Sequence, residues 1–151
     1  MRRLRTDAWL LRGISTVPGE LILQGQLLSF VVSGTGSAWP WQLRTLERDL
    51  AVSGLAASVE AGELTQAFKW SVPDLRVSVP WYYFSSGINV EHLGCRLRFS
   101  FGAPARNGRS PGDMVANLRE VRTMRARGRL WLAALREAAT VPNTDGRRAP
   151  D

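Results

Sequence analysis

Apolar and polar residues alternate most cleanly from Trp81 to Pro104, and the pattern there predicts a β-hairpin. Ile88 and Val90 on one arm, with Leu97, Phe99 and Phe101 on the other, share an apolar face. Asn89, Glu91, Arg96, Arg98 and Ser100 share the polar one. An even loop over residues 92–95 sets Ile88 opposite Phe99, Val90 opposite Leu97 and Glu91 opposite Arg96. A three-residue loop would set apolar residues opposite arginines, because a one-residue slip moves every side chain to the other face.

Upstream, residues 1–6 are expected to be a loose basic arm. Ala8 to Ser15 reads as a strand, and Val17-Pro18-Gly19-Glu20 as a type II turn, with proline presetting φ and glycine accepting its positive value. Glu20–Leu23 and Leu27–Val32 follow as strands around Gln24-Gly25-Gln26, with Leu28, Phe30 and Val32 on one face. Residues 33–37 form a polar loop. Trp39–Leu43 is expected as a short edge strand, since Pro40 cannot donate to a ladder. Residues 53–66 have mixed periodicity and fit a loop, a bulged strand or a short helix. Strand character returns in Phe68–Val72 and Asp74–Val79.

After the loop of residues 105–112, Asp113 is placed to cap a helix from Met114 to about Ala139. Leu118, Val121, Met124, Gly128, Trp131, Leu132 and Leu135 share one side of it. Gly128 implies a kink or a close approach to a strand. Residues 140–151 read as a disordered tail, leaving 7–139 as one domain. About seven antiparallel strands tend to curl and remove their edges. The expected fold is therefore mainly β, a seven-stranded antiparallel barrel capped by one C-terminal helix, with Trp131 as the stopper.

Charge sharpens the picture. The chain has 151 residues and a net charge of +7. The body is slightly acidic, while residues 96–151 hold twelve of the twenty basic residues. Such asymmetry implies an acidic partner. At ~100° per residue, Arg122, Arg125, Arg129 and Arg136 fall within a sector of about 60°. With Arg2, Arg3 and Arg5 they form a candidate cationic surface, and the consecutive aromatics from Trp81 and Tyr82 onward are candidates for exposed contacts. The competing reading is a solvated face whose arginine stems cover the barrel edge.

Catalytic chemistry finds little to work with. His92 is the one histidine, expected as an exposed turn residue, and no serine elbow or nucleophile motif accompanies it. Cys95 is the one cysteine and reads as a partly buried structural thiol. No metal-ligand spacing is present, and Gly34-Thr35-Gly36 lacks the third glycine and the helix of a dinucleotide fingerprint. No enzyme, metal or cofactor is expected. No apolar run reaches the ~20 residues of a membrane span, so the expected location is the cytoplasm, or peripherally the inner face of its membrane.

The order of elements resembles the pleckstrin-homology-like superfold, including its GRAM-like branch. The matching pieces are Gly19–Leu23 with Leu28–Val31, Gly87–Val90 with Arg96–Phe101, and Gly128–Leu132 with its tryptophan. The resemblance implies a binding or scaffold module. It also implies inositide recognition by cations around the first strand–turn–strand, but residues 11–20 offer only Arg12 beside Glu20. The leading expectation is therefore a protein or peptide partner beside the C-terminal helix. Anionic lipid head groups at the arginine-rich N-terminus and helix come second. Weak nucleic-acid binding comes third, disfavoured by the acidic body.

Overall fold

Alternation decides most of the sheet. The structure, a computed structural model, describes residues 3–79, 87–103 and 114–142. Seven strands run β1 (Arg3–Arg12), β2 (Ser15–Gln24), β3 (Leu27–Val32), β4 (Thr65–Ser71), β5 (Arg76–Ser78), β6 (Gly87–His92) and β7 (Cys95–Ser100). Helices α1 (Pro40–Asp49) and α2 (Leu55–Glu60) lie between β3 and β4, and α3 (Met114–Thr140) follows the sheet. All pairings are antiparallel, in the order β4-β3-β2-β1-β7-β6-β5. The β6–β7 register is the expected one: Ile88 faces Phe99, Val90 faces Leu97, and Glu91 faces Arg96 across a two-residue turn. Ile88, Val90, Leu97, Phe99 and Phe101 are all buried. Asn89, expected on the wet face, is buried too, and its Oδ1 has no hydrogen-bond partner.

The sheet must curl. Laid flat, seven strands at ~4.8 Å spacing would put β4 and β5 about 29 Å apart. The link between them is a single 3₁₀ turn, Val72–Asp74, plus Leu75. From Ser71 to Arg76 it can span at most ~18 Å. The core rings agree with that geometry. Phe30 of β3 meets Phe99 of β7 edge-on at 4.9 Å, and Trp70 of β4 stacks on His92 of β6 at 4.7 Å. These strands are remote in the sheet order and touch only across a closed interior. His92 is therefore half-buried under Trp70, not an exposed turn residue.

Three local expectations give way to the structure. Arg3–Thr6 is the start of β1, paired with Leu21–Gln24, and not an arm. The first turn is Gly13-Ile14, not Val17–Glu20, so Pro18 and Gly19 lie inside β2 opposite Trp9 and Ala8. Gly19 serves close approach rather than turn geometry: a Cβ there would sit 2.7 Å from Phe30 Cζ and 2.3 Å from the Val31 carbonyl oxygen. One long β2 places Val17, Leu21 and Leu23 in the core. Last, Trp39–Leu43 is no strand. Pro40 opens α1 at its first turn, the Trp39 N–H donates to Gln42 Oε1 at 2.9 Å, and Leu43 and Leu46 bury one helix face. The ambiguous stretch of residues 53–66 contains the short helix α2, which buries Leu55, Ala56 and Val59.

Helix α3 closes one end of the curled sheet. Trp131 is fully buried, donates from Nε1 to Thr6 Oγ1 at 3.1 Å and stacks near Phe101 at 6.1 Å. Gln26, in the β2–β3 turn, donates from Nε2 to the Ala138 and Val141 carbonyls at 3.0 and 2.6 Å, satisfying the helix C-terminus. Its own carbonyl accepts the Val72 N–H at 2.8 Å. The helix runs unbroken through buried Gly128. Its core face shifts toward the C-terminus: Ala134 and Ala138 join Trp131 and Leu135, whereas Leu118 is 59% exposed. The loop of residues 105–112, the Asp113 cap and residues 143–151 lie outside the described residues.

Candidate functional site

The end opposite α3 is built from two hairpin turns and α1. Gly13 has φ +63°, which suits the first position of a tight hairpin turn and leaves Ile14 at the tip. In the β6–β7 turn both Leu93 (φ +47°) and Gly94 (φ +81°) are left-handed. That turn favours Asn-Gly, and a leucine there is a bulky residue in a region it disfavours. Ile14 has a relative exposure of 103% and Leu93 of 93%. Large apolar side chains thus occupy both tips, where polar residues or glycine would serve the turns better.

The tips share one end of the molecule. β1 and β7 pair at Leu10–Phe99, so the two turns extend past that ladder on the same side. Helix α1 is fastened there as well. Arg12 Nη2 meets Asp49 Oδ2 at 3.0 Å, and Gln42 Nε2 donates to the Arg12 carbonyl at 3.2 Å. Ser37 and Thr16 exchange bonds of 2.9 and 3.1 Å beneath the helix start. Trp41, on the first turn of α1, is 58% exposed, and Trp39 just before it is exposed too.

Between these pieces lies a groove of about 490 Å³ lined by Leu11, Arg12, Trp41, Thr45, Arg96 and Arg98, among others. Arg12 is held by Asp49, and Arg96 by Glu91, with Nε and Nη2 at 3.3 and 3.0 Å from one carboxylate oxygen. Arg98 is exposed and has no ion-pair partner among the described residues. A neighbouring hollow is lined by Leu93, Cys95, Arg96 and Asp49, which ties the second tip to the same cluster. Burial pushes the Cys95 thiol up, Asp49 adds to the rise, and Arg12 opposes it. The arrangement offers guanidinium donors, the exposed indole of Trp41 and two apolar points. Among the described residues no group of histidine, cysteine and acidic side chains could hold a metal ion.

The candidates from the sequence fall elsewhere. Arg122, Arg125, Arg129 and Arg136 lie exposed along α3, at the opposite end. Arg3 and Arg5 project from the face of β1 opposite to Thr6, and Thr6 is the residue that touches α3. The two sets are thus not joined into one surface through β1. Arg5 pairs with Glu20, which raises its pKa further through a hydrogen bond and charge. Arg2, Trp81 and Tyr82 lie outside the described residues. Beside the C-terminus of α3 is an apolar cleft of about 240 Å³ formed by Leu23, Gly25, Ala134, Ala138 and Val141. The hairpin-end residues missed from sequence carried one faint signal, Leu93 directly before the glycine of a two-residue turn.

Among the described residues no helix is long and apolar enough to cross a membrane. Comparison of the chain with protein-family models, with curated proteins and with solved structures returns no match.

Proposed function

We propose that this chain is a non-catalytic binding module that docks on anionic membrane surfaces through its hairpin end. The observation that carries the reading is the pair of fully exposed apolar tips, Ile14 and Leu93, flanking a groove of three arginines and Trp41. Protruding aliphatic residues can enter the interfacial region of a bilayer, and an exposed tryptophan suits that depth. Arg98, the groove arginine with no ion-pair partner among the described residues, is set just behind them to meet a lipid phosphate, contributing about 1 kcal/mol near an anionic surface. The left-handed Leu93 adds weight, since strain retained at an exposed position is better explained by a contact than by folding. Kinship with pleckstrin-homology-like domains belongs to the same proposal, supported by the strand order and the helix that stoppers the sheet.

The apolar cleft beside the end of α3 supports a second reading, a short apolar peptide segment seated between Leu23 and Ala138. It is smaller than the arginine groove and carries no strained or protruding residue, so it ranks behind.

Flotation with phosphatidylserine-containing vesicles tests the first reading. Binding is expected at low salt, weakening as salt rises. Exchanging Ile14→Ser with Leu93→Asn should lower vesicle affinity at least about tenfold, since each removes on the order of 1 kcal/mol of apolar transfer. Leu93→Asn alone should leave thermal stability unchanged or raised, because asparagine tolerates the left-handed region better. Absence of flotation at low salt, or a double variant that floats like the parent, overturns the proposal.

A further inference from the structure

The first half of α3 is a separate feature, at the other end of the molecule. Among the described residues from Leu118 to Leu130, Gly128 is buried, Val121 and Met124 are half-buried, and the others are exposed. Met124 packs so closely on Gly102 that a Cβ there would lie 1.8 Å from its sulfur. The rest of the segment is exposed and holds five arginines against one acid, Glu120. Arg125 has an interaction of its own, and the other four are Arg119, Arg122, Arg127 and Arg129.

The distribution of these cations around the helix decides what they suit. At ~100° per residue, Arg122 and Arg129 lie on one flank, Arg127 on the other and Arg119 between them, and together they span roughly 160°. A flat bilayer would leave part of that arc unused. A surface-lying membrane helix also needs an apolar stripe. The exposed apolar residues here, Leu118 and Leu130, point about 120° apart. Cations on both flanks match a groove walled by phosphates on two sides. The major groove of a duplex, ~12 Å wide, admits an α-helix and presents such walls. Guanidinium is the side chain best shaped for phosphate oxygens.

We propose that residues 118–130 of α3 form a sequence-independent docking surface for duplex nucleic acid, gripping phosphates of both strands. Between Leu118 and Leu130 the helix itself carries one acid, Glu120, and most carboxylates of the body belong to β1, β2, β6, α1 and α2. The surface is independent of the hairpin end.

Anisotropy titration of the full chain against a fluorescent duplex of about 20 base pairs tests it, between about 50 and 200 mM salt. The parent should bind at the lower salt and lose about a hundredfold or more in affinity at the higher. The variant Arg119→Gln, Arg122→Gln, Arg127→Gln, Arg129→Gln should flatten the logarithmic salt slope by about 3–4, since each phosphate contact contributes about 0.9. Glutamine keeps helix propensity, so the melting curve should be retained. Vesicle flotation should be unchanged, which separates this surface from the hairpin end. No duplex binding at the lower salt, an unaltered slope in the variant, or equal competition by polyglutamate at matched charge overturns the proposal. The last result would point to an acidic protein as the partner.

Discussion

The two ends of the curled sheet use the same amino acid in opposite ways. At the stoppered end Trp131 is fully buried, its indole N–H satisfied by Thr6 and its ring beside Phe101. At the hairpin end Trp41 stands mostly in solvent above three arginines. A buried tryptophan with a satisfied N–H contributes to stability through area and packing. An exposed one contributes little to folding, so its presence has to be explained by what it meets. The contrast teaches where to look: the end that is well packed holds the molecule together, and the end that is poorly packed is free to bind.

The largest effect expected of breaking this contrast is at the stopper. Trp131→Ala should lose about 3–5 kcal/mol in denaturant unfolding, as large core deletions do. A loss under about 1 kcal/mol would mean that α3 does not close the barrel. Next comes Gln26→Ala, which removes both bonds to the helix C-terminus. Those carbonyls are near solvent, so about 1–2 kcal/mol is expected. Hydrogen exchange should then show faster opening in the last turn of α3 than in its middle.

Trp41→Ala inverts the pattern. Stability should stay within about 0.5 kcal/mol of the parent, while vesicle binding weakens measurably. If Trp41→Ala destabilised as much as Trp131→Ala, the distinction between the ends would collapse. The smallest effect is at Cys95. Its folded pKa is raised, so the thiol keeps its proton, and the associated stability is present below the unfolded pKa and lost as pH rises through the folded one. Alkylation at mildly alkaline pH should be slower in the native protein than in the urea-unfolded chain. Equal rates would show that the strand start at Cys95 is open.

Much of the fold was legible in the sequence because alternation is an unambiguous signal. The β6–β7 register, the buried face of β3 and the inward Trp131 all follow from which positions are apolar. Elsewhere a strong local cue outweighed a weaker one that was right. Pro18-Gly19 reads as a turn, yet burial of Val17, Leu21 and Leu23 holds the pair inside a strand while lone Gly13 makes the turn. Pro40 suggested an edge strand, but Leu43 and Leu46, followed by Leu50, carry helix spacing, and proline at a first turn agrees with it. Leu118 looked like core because the helical wheel does not reveal how far along α3 the sheet extends.

The site was less legible for a physical reason. Arg12, Trp41 and Arg98 come from three distant segments and acquire meaning only when β1 lies beside β7 and α1 is fastened to β1. Exposure of Ile14 and Leu93 is likewise a property of the finished turns, not of their neighbours in sequence.

The central position of β1 has a kinetic consequence. One of its edges is filled at once by β2, but the other waits until β7, near the far end of the sheet-forming sequence, comes to lie against it. That long-range closure brings the arginines of β7 to Arg12, so the groove should be assembled late in folding, after the β1–β4 meander. Refolding followed by a probe at Trp41 should therefore lag behind one that reports only on the meander.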